Sequence, residues 1–147
     1  MSHARTQTRQ AVAALLKGKT DAGNNVYEAR VHPLGEGELP AILIYTKQEA
    51  LEEQTISRPR TQQRQLELSI EAYVKTRGKI DVNTDALATA IEKEIASDPT
   101  LGGLVKDTVL ESTETQFSDD GEQPIAWVVL TYSVLYAVKE DEPDILL

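Results

Sequence analysis

Apolar residues recur along the chain with two periods, one near 3.6 and one of 2, and the switches between them mark out its elements. From Thr6 to Leu16, Arg9, Val12, Leu15 and Leu16 fall on one face among helix-forming alanines, which predicts a short amphipathic helix. Gly18 and the polar stretch Thr20 to Asn25 end it, and the alternation over Val26–Val31 predicts a strand. Leu34-Gly35-Glu36-Gly37-Glu38 turns the chain into Leu39-Pro40 and then Ala41–Tyr45, a continuous apolar run suited to a strand covered on both faces. Lys47–Gln63 is polar and without a sustained period, so it reads as a long loop and a candidate contact arm.

Strict alternation returns from Arg64 to Val74. Leu66, Leu68, Ile70, Ala72 and Val74 point one way, and Gln65, Glu67, Ser69, Glu71 and Tyr73 the other, as in a half-buried strand. Asn83 or Thr84 is a suitable N-cap for a second helix carrying Leu87, Ile91 and Ile95 and ending near Ser97, before Asp98-Pro99. Leu104 to Phe117 predicts a strand with mixed faces, Asp119-Asp120-Gly121 a turn, and Ile125 to Val138 the most hydrophobic strand. That strand is apolar on both sides: Trp127, Val129 and Leu135 on one, Val128, Leu130, Tyr132, Val134 and Tyr136 on the other. A sheet with one helical layer leaves one face wet, so a helix or another subunit must cover the second. The order helix, three strands, helix, two strands specifies an α+β fold, with two helices packed on a mixed, largely antiparallel sheet of about five strands. Residues 1–138 form the expected single domain, with the polar arm at 47–63 and an acidic C-terminal tail at 139–147.

Composition narrows the function without naming it. Of 147 residues, 40% are apolar and 27% charged, a globular balance, and cysteine is absent, which excludes disulfides and thiolate metal sites. The N-terminus lacks the apolar stretch of a secretion signal, and the longest apolar run, Ile125 to Leu130, is far too short for a membrane span, so no membrane partner is expected. The charge is lopsided: residues 107–147 hold ten acids and only Lys139 as a base, so the whole net charge of −9 sits there. Arg5, Arg9, Lys17 and Lys19 make the first twenty residues its mirror image. Such a molecule can attract copies of itself head to tail, and its acidic part repels phosphate backbones.

Chemistry-bearing motifs are missing. Gly18-Lys19-Thr20 has Ala13 where a phosphate-binding loop needs glycine, and Gly35-Glu36-Gly37 lacks the third glycine of a dinucleotide fingerprint. His3 and His32 have no companion at metal-ligand spacing, and Asp119, Asp120 and Glu122 suit a solvated turn better than a calcium loop. The expectation is a protein that is not an enzyme, with no catalytic residue, no metal and no cofactor.

The segments carrying a likeness to a known family are Arg9-Gln10-Ala11-Val12-Ala13-Ala14-Leu15 in the first helix and Gly37-Glu38-Leu39-Pro40-Ala41-Ile42-Leu43-Ile44-Tyr45 after an acidic turn. Then come the loop before Leu66-Glu67-Leu68-Ser69-Ile70 and the turn Asp119-Asp120-Gly121 with Leu130-Thr131-Tyr132-Ser133-Val134. In this order, from about Arg9 to Val138, the chain resembles the tail terminator family of long-tailed bacteriophages, whose lambda representative is the minor tail protein U. The resemblance implies a homohexameric ring on the head-proximal end of the virion tail, assembled in the host cytoplasm. Its partners would be the tail tube protein and a head-completion or neck protein, with DNA passing through the lumen without specific binding. Hypotheses for contact follow from the residues: Val128, Leu130, Tyr132, Val134 and Tyr136 for subunit packing, and basic Arg5 and Arg9 facing an acidic neighbour. Arg58 and Arg60 belong to the arm as ring or tube contacts, and Asp119, Asp120 and Glu122 are lumen candidates. The competing readings are a neck or head-completion protein of the same virion, and a monomeric ligand-binding domain or small enzyme of the host.

Overall fold

The alternating run from Arg64 to Val74 lies within the middle strand of a five-stranded sheet, and the other elements follow from what pairs with it. The computed structural model describes residues 1–31, 36–75, 79–118 and 125–147. Its elements are α1 (Ala4–Leu16), β1 (Val26–Tyr27), a 3-10 turn at Glu36–Glu38, β2 (Ala41–Gln54), β3 (Thr61–Lys75), α2 (Ile80–Ser97), β4 (Asp107–Ser118) and β5 (Ile125–Lys139). The sheet order is β1-β2-β3-β5-β4, with β1 parallel to β2 and every other pair antiparallel. This is the expected α+β architecture. His32, the Leu34-Gly35 part of the predicted turn and the Asp119-Asp120-Gly121 turn lie outside the described residues.

Both helices cover the same face. There Ile42 and Ile44 of β2, Leu66, Leu68 and Ile70 of β3, and Leu130, Val134 and Tyr136 of β5 are wholly buried, together with Val12 and Leu16 of α1 and Ile91 of α2. The helix α1 begins earlier than its apolar stripe, because the His3 ring caps it: Nδ1 accepts from the Arg5 backbone N–H at 3.1 Å. Burial and then the Arg5 cation push the His3 pKa down, which favours the neutral ring that this acceptor role needs. Gly18, at φ +73°, ends the helix in the left-handed conformation.

Three expectations shift. The second helix starts at Ile80, a turn before Asn83 and Thr84; Thr84 is inside it and buried, its hydroxyl donating back to Ile80 and Asp81 carbonyls at 3.2 Å. The strand expected over Val26–Val31 is only two residues long, because β1 meets β2 at Ile42 and Leu43 alone. The stretch Lys47–Gln63 is not a long loop. It is the outer half of β2, a short connection, and the first residues of β3, paired as far as Gln54 with Gln62. Polar residues on both faces hide a strand that projects past its core, since alternation signals burial and not pairing.

Residues 139–147, read as an acidic tail, fold back on the domain. The Pro143 carbonyl accepts from Ala4 N–H at 3.0 Å, that of Asp144 from the Gln7 side chain at 2.7 Å, and Leu147 N–H donates to Ala137 at 2.9 Å. The expected stability map is sharp. Leu130→Ala should cost about 2–5 kcal/mol in urea unfolding, whereas Leu51→Ala on the exposed arm should stay within about 0.5 kcal/mol; similar losses at both positions would contradict this assignment of the core.

Candidate functional site

The face of β5 expected to pack against another subunit lies in the chain's own core. Val128, Leu130, Tyr132, Val134 and Tyr136, expected at a subunit boundary, are 3% exposed or less beneath the chain's own helices. The correction has a simple cause: two helices can cover one face of the sheet, and they take the denser one. The uncovered face holds Trp127, Val129 and Leu135, each half-buried.

The N-terminal cations are also used internally. Arg5 pairs with Glu49 at 2.8 Å, and Arg9 donates to the Thr46 hydroxyl at 2.9 Å and the Thr6 hydroxyl at 3.1 Å. Glu49 in addition accepts from Arg64 at 3.5 Å and from the Tyr136 hydroxyl, so α1, β2, β3 and β5 meet at one carboxylate. Arg5 and Arg9 thus each have a partner on this chain's own β2. Arg60 lies 3.8 Å from Glu140, and Arg58 is exposed in the β2–β3 connection. The lumen candidates Asp119, Asp120 and Glu122 lie outside the described residues.

The open face of the sheet divides into two regions. At the end nearer the start of β2, Tyr45 and Tyr73 both donate to the Glu71 carboxylate at 2.6 Å, and the Trp127 ring stacks on Tyr73 with centroids 5.4 Å apart. The Arg30 guanidinium lies over the Tyr45 ring, 5.3 Å from its centroid, and donates to the Thr46 carbonyl at 2.6 Å. Burial, and then the hydrogen bond to Glu71, push the pKa of both tyrosines up.

Toward the β2–β3 hairpin the same face is a trough. One part, of about 500 Å³, is lined by Gln48, Gln65, Glu67, Glu111, Thr131 and Ser133 among others. It continues into a second part of about 380 Å³ that adds Glu52, Glu53, Asp107, Val109 and Leu135. The walls are made by bulges. Each register shift inserts a residue, and those inserted are one of Lys47 and Gln48 opposite Glu67, then Glu52 on β2, and Glu111 on β4. Five carboxylates line the trough and no cation does, while Val109 adds an exposed apolar wall. Its lining is polar and negatively charged.

Among the described residues no group of three His, Asp or Glu side chains is placed to hold a metal ion, and no helix is long and apolar enough to cross a membrane. The trough escaped the sequence reading because its acids are spread over three strands and two of them are bulge residues, which break the alternation that reveals a face.

Compared with known proteins, the chain matches the family model described as phage minor tail protein U over residues 3–136. No curated protein matches it. Among solved structures, a chain from "Virion of native gene transfer agent (GTA) particle" is 12% identical, with 90% of this chain and 92% of that one covered and a TM-score of 0.37.

The aromatic region generates a pH dependence. Unfolded tyrosines ionise at about pH 10, whereas Tyr73 in the fold holds its proton to higher pH. Its contribution is complete below the unfolded pKa and is lost as pH rises toward the folded one. Tyr73→Phe should therefore flatten the fall in urea midpoint above about pH 10; a slope identical to that of the unmodified chain would rule the argument out.

Proposed function

The chain belongs to the phage minor tail protein U family and is a structural protein of a virion tail, and from that premise we propose that it is a tail terminator. In this reading it forms a homohexameric ring on the head-proximal end of the tail tube, stops tube polymerisation, and presents the surface to which the filled head attaches. Its partners are further copies of itself, the tail tube protein and a head-completion or neck protein, and assembly takes place in the host cytoplasm.

The family match across residues 3–136 carries this reading. Two physical features support it. A closed ring needs heterologous contacts, in which one surface of a subunit meets a different surface of the next. An uncovered sheet face and a projecting hairpin on the same chain supply two such unlike surfaces. The negative charge of the C-terminal quarter would keep passing DNA from adhering, since phosphate backbones bind where cations release counterions.

The purified chain added to growing tail tubes should hold them at a fixed length, with a ring visible at one end by negative-stain imaging. Tubes that lengthen unchecked would reject termination, and a ring that binds filled heads but not tubes would move the protein to the neck.

A further inference from the structure

The hairpin between β2 and β3 ends in a connection, residues 55–60, whose composition does not suit free solvent. Ile56 is 93% exposed there, and Arg58 stands beside it with no ion-pair partner among the described residues. A large aliphatic side chain and a guanidinium presented together at the end of a polar arm are contact residues in search of a surface. The connection is also tied to the sheet behind it. Thr55 N–H donates to the Thr61 carbonyl at 3.0 Å, Thr61 N–H donates to the Thr55 hydroxyl at 3.0 Å, and Glu140 N–H donates to the Arg60 carbonyl at 2.8 Å. β5 pairs with β3 to Thr61, so the sheet backs the hairpin as far as the connection.

The trough on the open face has the complementary character. Asp107, Glu53 and Glu111 provide negative charge, and Val109, 51% exposed, with half-buried Leu135 provides an apolar wall. Glu111 stands where both parts of the trough meet, at the bulge of β4. The chain thus carries a basic apolar tip and an acidic trough with an apolar wall, and Ile56, so exposed, is not seated in its own trough.

We infer that the hairpin tip of one copy seats in the open-face trough of the next copy, Ile56 against Val109 and Leu135, and Arg58 among Asp107, Glu53 and Glu111. The occupant is a second copy of this chain because the charges on tip and trough are opposite in sign and each side offers apolar surface to the other. Tip and trough are different surfaces, so the contact is directional and repeats from subunit to subunit. The inference rests on the ring reading and adds to it which surfaces meet.

The absence of native cysteine allows a direct test. A double variant, Ile56→Cys with Val109→Cys, should give on oxidation a ladder of disulfide-linked multimers on a non-reducing gel. A mixture of the two single variants should give a mixed dimer and no higher rung. In a second arm, Arg58→Glu and Glu111→Arg should each weaken self-association measured by sedimentation about tenfold or more, and their combination should restore it. All variants should keep the urea midpoint of the unmodified chain, which separates lost contact from lost fold. Rings that form with undiminished affinity in Arg58→Glu and yield no ladder would overturn this contact and leave the ring reading standing. A chain that never self-associates, alone or on tube ends, would overturn both, and a dimer that grows no further would overturn the head-to-tail arrangement.

Discussion

β3 and β5, each 15 residues long, pair along their full length from Thr61 with Lys139 to Lys75 with Ile125, and this ribbon constrains everything else in the molecule. A ribbon so long outruns the helices available to cover it. α1 and α2 have 13 and 18 residues, and they spend their apolar faces on one side of the sheet. Burial on that side is complete because Leu66, Leu68 and Ile70 stand opposite Val134, Tyr132 and Leu130, rows of large side chains that interlock under the helices. The other side has no such cover, and its residues divide the problem between them. Near the start of β2, aromatic rings satisfy one another through Glu71 and the Tyr73–Trp127 stack. Toward the hairpin, charge and bulges replace packing.

The bulges explain how one sheet serves both purposes. Up to Thr46, even-numbered residues of β2 face the helices; the insertion between Thr46 and Glu49 changes that parity. Without it, Gln48 would point to the helices and Glu49 would point away. With it, Glu49 reaches Arg5, Arg64 and Tyr136. One carboxylate then fastens the first helix to the outer part of the sheet, beside the wholly buried Tyr136. Its side chain is 12% exposed, which makes these charge-assisted hydrogen bonds less screened than surface pairs. The same device on β4 turns Ser112 outward, where it lines the trough beside Glu111. A single kind of backbone irregularity therefore anchors the arm on one face and shapes the docking surface on the other.

Which parts of this were legible in the sequence follows from what hydrophobic periodicity reports. β3 was readable because one of its faces is buried throughout, and the core of α2 was readable from Leu87, Ile91 and Ile95. Ala41–Tyr45, read as covered on both faces, is buried at its first four positions and half-buried at Tyr45 on the open face. The outer half of β2 was not readable, since its backbone pairs with β3 while its side chains face water on both sides. For β5 the pattern stated that both faces are apolar, but the choice of face depends on how the helices approach, which is tertiary information. The acids of the trough come from β2, β3 and β4, so their convergence exists only after folding.

Charge asymmetry along the chain acquires a different meaning once the fold is known. Read linearly, the basic first helix and the acidic last quarter suggest a molecule whose ends attract. In the structure Arg5 is engaged by Glu49 and Arg9 by two hydroxyls, so much of the first helix's positive charge is committed within the subunit. Asp107 and Glu111 on β4 remain presented on the open face, joined by Glu52, Glu53 and Glu67 from strands that sequence counting had placed in the neutral part of the chain. The polarity that a directional assembly requires has moved from the termini to the sheet, with the acid on its open face and the base at its hairpin tip. That displacement matters for closure. A helix end held against its own sheet can steer an approaching partner but cannot enter it, whereas a hairpin backed by a third strand would present its tip at a fixed place on the subunit.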